Sequence, residues 1–117
     1  MHELSVMMEV IRIVEELAED KNIGHVQSIV LEVGELSAVV PDFMIEYFPI
    51  VVADKPLFRD AELKFIVIPG RGICDTCLKP YEVGKNRGIC PYCGSKEKTL
   101  ISGQEFNIRE IVVADDG

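Results

Sequence analysis

Four cysteines in a chain of 117 residues fall into two pairs of the same form, Cys74-Asp-Thr-Cys77 and Cys90-Pro-Tyr-Cys93, with twelve residues between them. Each C-x-x-C brings two sulfurs within reach of one ion, and two such pairs supply the four thiolates that suit tetrahedral Zn²⁺. Few large apolar residues lie between the pairs: Leu78, Tyr81, Val83 and Ile89. A segment with so little to bury must take much of its folding free energy from the metal. Iron accepts the same ligand set and is the competing metal. Disulfides are disfavoured in a reducing compartment, and a redox dithiol would need only one C-x-x-C. With no His or carboxylate in the set and no open position, the site reads as structural rather than catalytic.

Charge separates this segment from the rest. From Arg71 to Lys98 six basic residues (Arg71, Lys79, Lys85, Arg87, Lys96 and Lys98) face three acidic ones (Asp75, Glu82 and Glu97). The segment is therefore +3, and the remainder of a chain with net charge −8 is −11. Overall acidity argues against sequence-independent binding to nucleic acid and against an anionic membrane surface. No run of eighteen apolar residues is available for a transmembrane helix. The opening Met-His-Glu has no basic region followed by an apolar one, so a secretory signal is not expected and a cytoplasmic location is. At 48% hydrophobic the chain is too apolar to be disordered.

Helical spacing of Val6, Val10, Ile13 and Leu17, joined by Met7 and Val14, predicts an amphipathic helix over 4–20, stopped by Asn22 and Gly24. Residues 26–33 predict a strand with Ile29, Leu31 and Val33 on one face and Ser28 and Glu32 on the other. A second helix is expected near 41–53, opened by Pro41, with an apolar stripe of Phe43, Tyr47, Phe48 and Val51. Pro49 cannot donate to the carbonyl of Ile45, which predicts a kink or an early end. Residues 61–68 predict a strand with Leu63, Phe65 and Val67 on one face, and residues 105–113 a third strand. A lone last strand would not stay folded, so it should return to pair with the earlier two. The expected architecture is α+β: two helices on a three-stranded sheet in a small two-layer domain (1–69 and 104–117), with a zinc-ribbon module (70–103) inserted.

Signs of catalysis are missing. There is no nucleophile–base pair, no G-x-x-x-x-G-K-[ST] phosphate loop and no zinc motif with an open position. Ser5, Ser37 and Ser102 read as caps or turn residues, and His25 as a solvated loop residue before a strand. The amino terminus is different. Met1 followed by His2 offers a terminal amine, backbone nitrogens and an imidazole in adjacent chelate rings, a donor set that favours square-planar Ni²⁺ or Cu²⁺.

Met1-His2-Glu3-Leu4-Ser5, Val33-Gly34-Glu35-Leu36-Ser37, the two cysteine pairs with Cys93-Gly94-Ser95, and Ser102-Gly103-x-Glu105 occur in one order over nearly the whole chain. In this combination the sequence resembles the HypA/HybF family of hydrogenase nickel-incorporation proteins. The resemblance implies a nickel metallochaperone for maturing [NiFe]-hydrogenase, and in some bacteria urease. It places Ni(II), as transient cargo, on Met1, His2 and Glu3. His2 would give its side chain, backbone nitrogens would complete a planar site, and Glu3 would contribute its amide first. It places structural Zn(II) on Cys74, Cys77, Cys90 and Cys93. Implied partners are the hydrogenase accessory GTPase HypB and the hydrogenase large-subunit precursor, with a homodimer left open. The chain departs from the family's pattern in having no histidine from 26 to 117, and in carrying Glu46 and Pro49 in a helix that is more apolar in relatives. The competing reading is a zinc-ribbon adaptor without nickel, binding protein or nucleic acid through its basic module. Acidity, and the scarcity of aromatics in 71–98 (Tyr81 and Tyr92), weaken the nucleic-acid form of it.

Overall fold

The computed structural model describes residues 3–114. The elements run α1 (Glu3–Asp20), β1 (Val26–Gly34), α2 (Pro41–Val51), a 3₁₀ turn at Pro56–Phe58, β2 (Glu62–Ile68), β3 (Arg71–Cys74), β4 (Pro80–Glu82), β5 (Lys98–Ser102) and β6 (Phe106–Val113). Two three-stranded sheets form, in the orders β2-β1-β6 and β4-β3-β5. The α+β expectation holds, and the last strand returns to lie beside β1, as its apolar content required. The chain divides into two compact units. Among the described residues one takes 3–31, 38–66 and 107–114; the other takes Glu32–Ser37 and Val67–Phe106.

In the first unit α1 buries Val6, Met7, Val10, Ile11, Val14 and Ala18. Of the expected stripe Val6, Met7, Val10 and Val14 are thus buried, whereas Ile13 and Leu17 are not. Ile13 is 40% exposed, and Leu17 is half-buried. The helix carries two adjacent apolar rows, and the row through Met7, Ile11, Val14 and Ala18 faces the core. Ile13 and Leu17 instead border a surface groove with Ile23, Ile108, Ile111 and Val113. The helix stops as expected at Asn22, whose φ of 53° reverses the chain. Ile23 N donates to Ala18 O and Asn22 N to Glu19 O, the paired bonds of a left-handed helix terminus.

β1 buries Ile29, Leu31 and Val33 as predicted, but Val26 and Ser28 on its other face are buried as well. Among the described residues no fully buried side-chain nitrogen or oxygen atom lacks a hydrogen-bond partner. In α2 the buried residues are Met44 and Phe48, whereas Phe43 is 47% exposed. Of the expected stripe Phe48 is thus buried and Tyr47 and Val51 are half-buried, while Met44 rather than Phe43 takes the inward place. Pro49 lies inside the helix, which ends two residues later, with Val52 N still bonded to Phe48 O. Along β2, Leu63 and Phe65 are half-buried as expected, but Val67 is exposed and Ile68 half-buried. The alternation slips where the strand passes out of the first unit after Ile66.

The second unit is held partly by backbone packing. Gly34 N donates to Glu105 O, Glu35 N to Ile68 O and Leu36 N to Gly103 O. A Cβ on Gly34 would overlap the carbonyl of Gly103, one on Gly103 would overlap the Cα of Gly70, and one on Gly70 would overlap the side chain of Leu36. The Gly34-Glu35-Leu36 and Ser102-Gly103-x-Glu105 motifs are therefore the seam where three segments touch. Glu105 closes it by accepting from Gly103 N, and Ser102 Oγ donates to Pro69 O.

Candidate metal centre

β3 is the middle strand of the second sheet. It pairs antiparallel with β4 (Gly72 opposite Tyr81) and with β5 (Cys74 opposite Lys98). The strand delivers Cys74 at its end, and the chain then turns tightly. Leu78 N donates to Cys74 O, and Cys74 N donates to Lys79 O. The second pair repeats this turn bond for bond: Gly94 N donates to Cys90 O, and Cys90 N to Ser95 O. Both turns need a left-handed residue at the equivalent place, Leu78 at φ 62° and Gly94 at φ 79°. The turns are tied together by Thr76 Oγ1 donating to Ser95 Oγ at 2.9 Å. Thr99 Oγ1 donates to Asp75 Oδ1 at 2.8 Å, and the Lys79 ammonium sits 4.8 Å from the centre of the Tyr92 ring.

The four sulfurs lie within 4.8 Å of one another. Cys74 Sγ is 3.5 Å from Cys93 Sγ, and Cys77 Sγ is 3.6 Å from Cys90 Sγ. All four are free thiols, and these separations are far beyond a covalent S–S bond. A tetrahedral ion with metal–sulfur bonds of about 2.3 Å needs sulfurs about 3.8 Å apart, so the arrangement fits one ion at its centre. The first cysteine of each pair is buried, while Cys77 is half-buried and Cys93 exposed. Backbone N–H groups point at the buried sulfurs, from Cys77 to Cys74 and from Tyr92 to Cys90, both at 3.4 Å. Such donors favour thiolate. Chiefly through the Cys77 N–H, Cys74 is pulled down to about 6. Cys93 is pushed up to about 12: the Ser95 N–H alone would lower it, but crowding by Cys74, burial and the remaining sulfurs outweigh that donor. Four thiols this close cannot all ionise without a cation among them, which is the chemistry of a metal site. Around it the core is small. Tyr81 and Val83 pack with Cys74 and Cys90, flanked by Leu36 and Cys77.

A family model described as hydrogenase/urease nickel incorporation, metallochaperone, hypA, matches residues 1–113. The chain belongs to the HypA family. It is 36% identical over 108 residues to the hydrogenase maturation factor HypA of Moorella thermoacetica, covering 92% of this chain and 95% of that one. It is 36% identical over 115 residues to the HypA of Trichodesmium erythraeum, covering 98% and 97%. The solution structure of the Ni metallochaperone HypA from Helicobacter pylori superposes with a TM-score of 0.66 at 24% identity, covering 97% of each chain. A second HypA solution structure gives 0.69 at 23% identity, covering 97% and 96%. These two likenesses concern the fold.

Of the HypA nickel triplet expected from the sequence, Met1 and His2 lie outside the described residues. Glu3 opens α1. Its carboxylate accepts a hydrogen bond from Val40 N at 3.1 Å, a link between residues 37 apart that no local pattern announces. His25 lies in the loop before β1, as expected, but is not fully solvated. It is half-buried, its Nε2 lies against the Arg59 carbonyl, and its own carbonyl accepts from Ala114 N. Glu46 and Pro49 are both exposed on α2. Among the described residues no helix is long and apolar enough to cross a membrane.

Proposed function

We propose that this HypA-family protein carries Ni²⁺ on its amino terminus and delivers it in the cytoplasm for maturation of [NiFe]-hydrogenase, with Zn²⁺ as the resident ion of the four cysteines. The observation that carries the reading is the family match over residues 1–113, which takes in both the terminal triplet and the cysteine ribbon. Cargo would be held by the Met1 amine, the His2 imidazole and backbone nitrogens through Glu3, a planar nitrogen set whose open axial faces let a partner attack and remove the metal. The accessory GTPase HypB and the hydrogenase large-subunit precursor are the partners of this reading. The ribbon, residues 70–103, serves as a folded platform. Its donor set is four thiolates with no position left for a substrate, which supports a structural rather than catalytic ion and a delivery protein rather than an enzyme.

Isothermal titration with Ni²⁺ on native-terminus protein, a form extended by a short tag, and His2→Ala tests this. The native form should take up one equivalent, and both altered forms should lose it with zinc retained. Uptake should weaken as pH falls through about 6–7, because the donors must be deprotonated. Equal tight binding in all three forms would place nickel elsewhere.

A further inference from the structure

The amino end of α2 lacks the groups that ordinarily cap a helix. Its N-cap residue is Val40, extended at φ −103° and ψ 114°, with no side-chain hydrogen bond to the helix. Position N1 is Pro41, which has no N–H. Position N3 is Phe43, where a capping box would place Glu or Gln to reach back to the N-cap amide. Val40 O is engaged, accepting from Phe43 N at 3.1 Å and from Met44 N at 3.3 Å. The Val40 N–H is left facing away from its own helix, and it is met by Glu3 Oε2 at 3.1 Å. Glu3 thus supplies from the start of α1 the half of a capping box that α2 does not contain. Its negative charge also suits the positive end of the α2 dipole.

The same residue lies next to the proposed nickel chelate. In the first turn of a helix the backbone N–H groups have no intrahelical acceptor, so the Glu3 amide is open to deprotonation and ligation. The Glu3 side chain is half-buried and already engaged. α1 is anchored a few residues on by Val6 and Met7, both buried. With its side chain tied to Val40 and its backbone continuous with α1, residue 3 is held at two points where a helix end would otherwise fray.

We infer that the Glu3 carboxylate is a positioning group. It tethers the first turn of α1 to the N-cap of α2, fixes the Glu3 amide for the chelate, and leaves the metal to nitrogen donors. The inference rests on the nickel reading above. Holding a donor in its bound geometry raises affinity by removing an ordering cost, so the tether should matter most before the metal arrives.

Two variants separate this from direct ligation. Glu3→Gln keeps an oxygen that can accept the Val40 N–H but removes the charge, whereas Glu3→Ala removes both. In metal-free protein, amide hydrogen exchange at Val40 should accelerate in Glu3→Ala and stay protected in Glu3→Gln. In nickel titration Glu3→Ala should bind about tenfold more weakly. Glu3→Gln, which keeps the acceptor but loses the charge, should fall between wild type and Glu3→Ala, and the absorption spectrum of bound Ni²⁺ should be the same in all three. Loss of affinity in Glu3→Gln equal to that in Glu3→Ala, or a spectrum changed by Gln, would make the carboxylate a ligand and overturn the inference. Unchanged Val40 exchange in Glu3→Ala would overturn it too. A wild-type protein that takes up no nickel at its terminus overturns instead the delivery reading, and with it the role in nickel binding, while the exchange measurement still decides the tether.

Discussion

The two units are held together by different means. In the first, Met7, Ile11, Val14, Ile29, Leu31 and Met44 are all nearly inaccessible, a core of ordinary side chains stabilised by removing apolar surface from water. In the second, the buried cluster contains two of the four clustered cysteines beside Tyr81 and Val83, and much of the rest is close packing around the backbone of Gly34, Gly70 and Gly103. One unit should answer to cavities and the other to chelators. The contrast would suit the proposed division of labour, in which the amino terminus releases its ion and the ribbon keeps its own.

The largest effect should come from the metal. Apparent binding free energies of structural zinc sites are about 10–16 kcal/mol, far more than a cluster of four side chains can replace. Cys90→Ser, or a strong chelator, should unfold residues 71–98 while the circular dichroism of α1 persists. Zinc content and amide exchange read the two units separately. Undiminished zinc in Cys90→Ser would remove the distinction between them.

The converse test empties the first core. Leu31→Ala deletes a fully buried side chain and should cost about 2–5 kcal/mol, read by urea denaturation followed on α1. Zinc content should be unchanged. Release of zinc from this variant would mean that the ribbon draws its stability from the first core.

A smaller effect belongs to the glycine seam. Gly34→Ala drives a methyl into the Gly103 carbonyl, and overpacking of this kind costs about 1–3 kcal/mol. The loss should appear as faster amide exchange at Leu36, which donates to Gly103 O. A neutral Gly34→Ala would show that the three segments can part without loss.

What could be read from the sequence follows the range of each interaction. The cysteine cluster was legible because ligand spacing is local, and two turns of the same form bring the sulfurs together with few alternatives. The stop at Asn22 and the return of the last strand were legible for related reasons: one is a backbone preference, the other an apolar segment with nowhere else to go. Periodicity found both helices and most of their buried residues but misplaced the edges of the inward faces. Ile13 and Phe43 are apolar and lie one position from the residues that turn inward, Val14 and Met44, and which row faces the core depends on partners in other elements. The contacts of His25 with Arg59 and of Glu3 with Val40 join residues more than thirty positions apart. Nothing in the neighbourhood of either residue encodes its partner.

The smallest effect sharpens the comparison inside the ribbon itself. The two cysteine turns share their hydrogen bonds, but one places Gly94 in the left-handed region and the other Leu78. Leu78 is 74% exposed, so its side chain has little packing to offset the backbone conformation. A left-handed non-glycine residue costs about 1–2 kcal/mol, and glycine loses about 0.5–1 kcal/mol more backbone freedom on folding. Leu78→Gly should therefore be neutral or stabilising by up to about 1 kcal/mol. The reverse change is equally clean. A Cβ on Gly94 would meet nothing within 4 Å, so Gly94→Ala isolates the backbone term and should cost about 1 kcal/mol. Chelator competition on the zinc-loaded protein reads both variants, as a slightly tighter and a slightly weaker hold on the ion. If Leu78→Gly weakened the hold instead, the exposed leucine would be contributing something besides strain, and the two turns would not be equivalent.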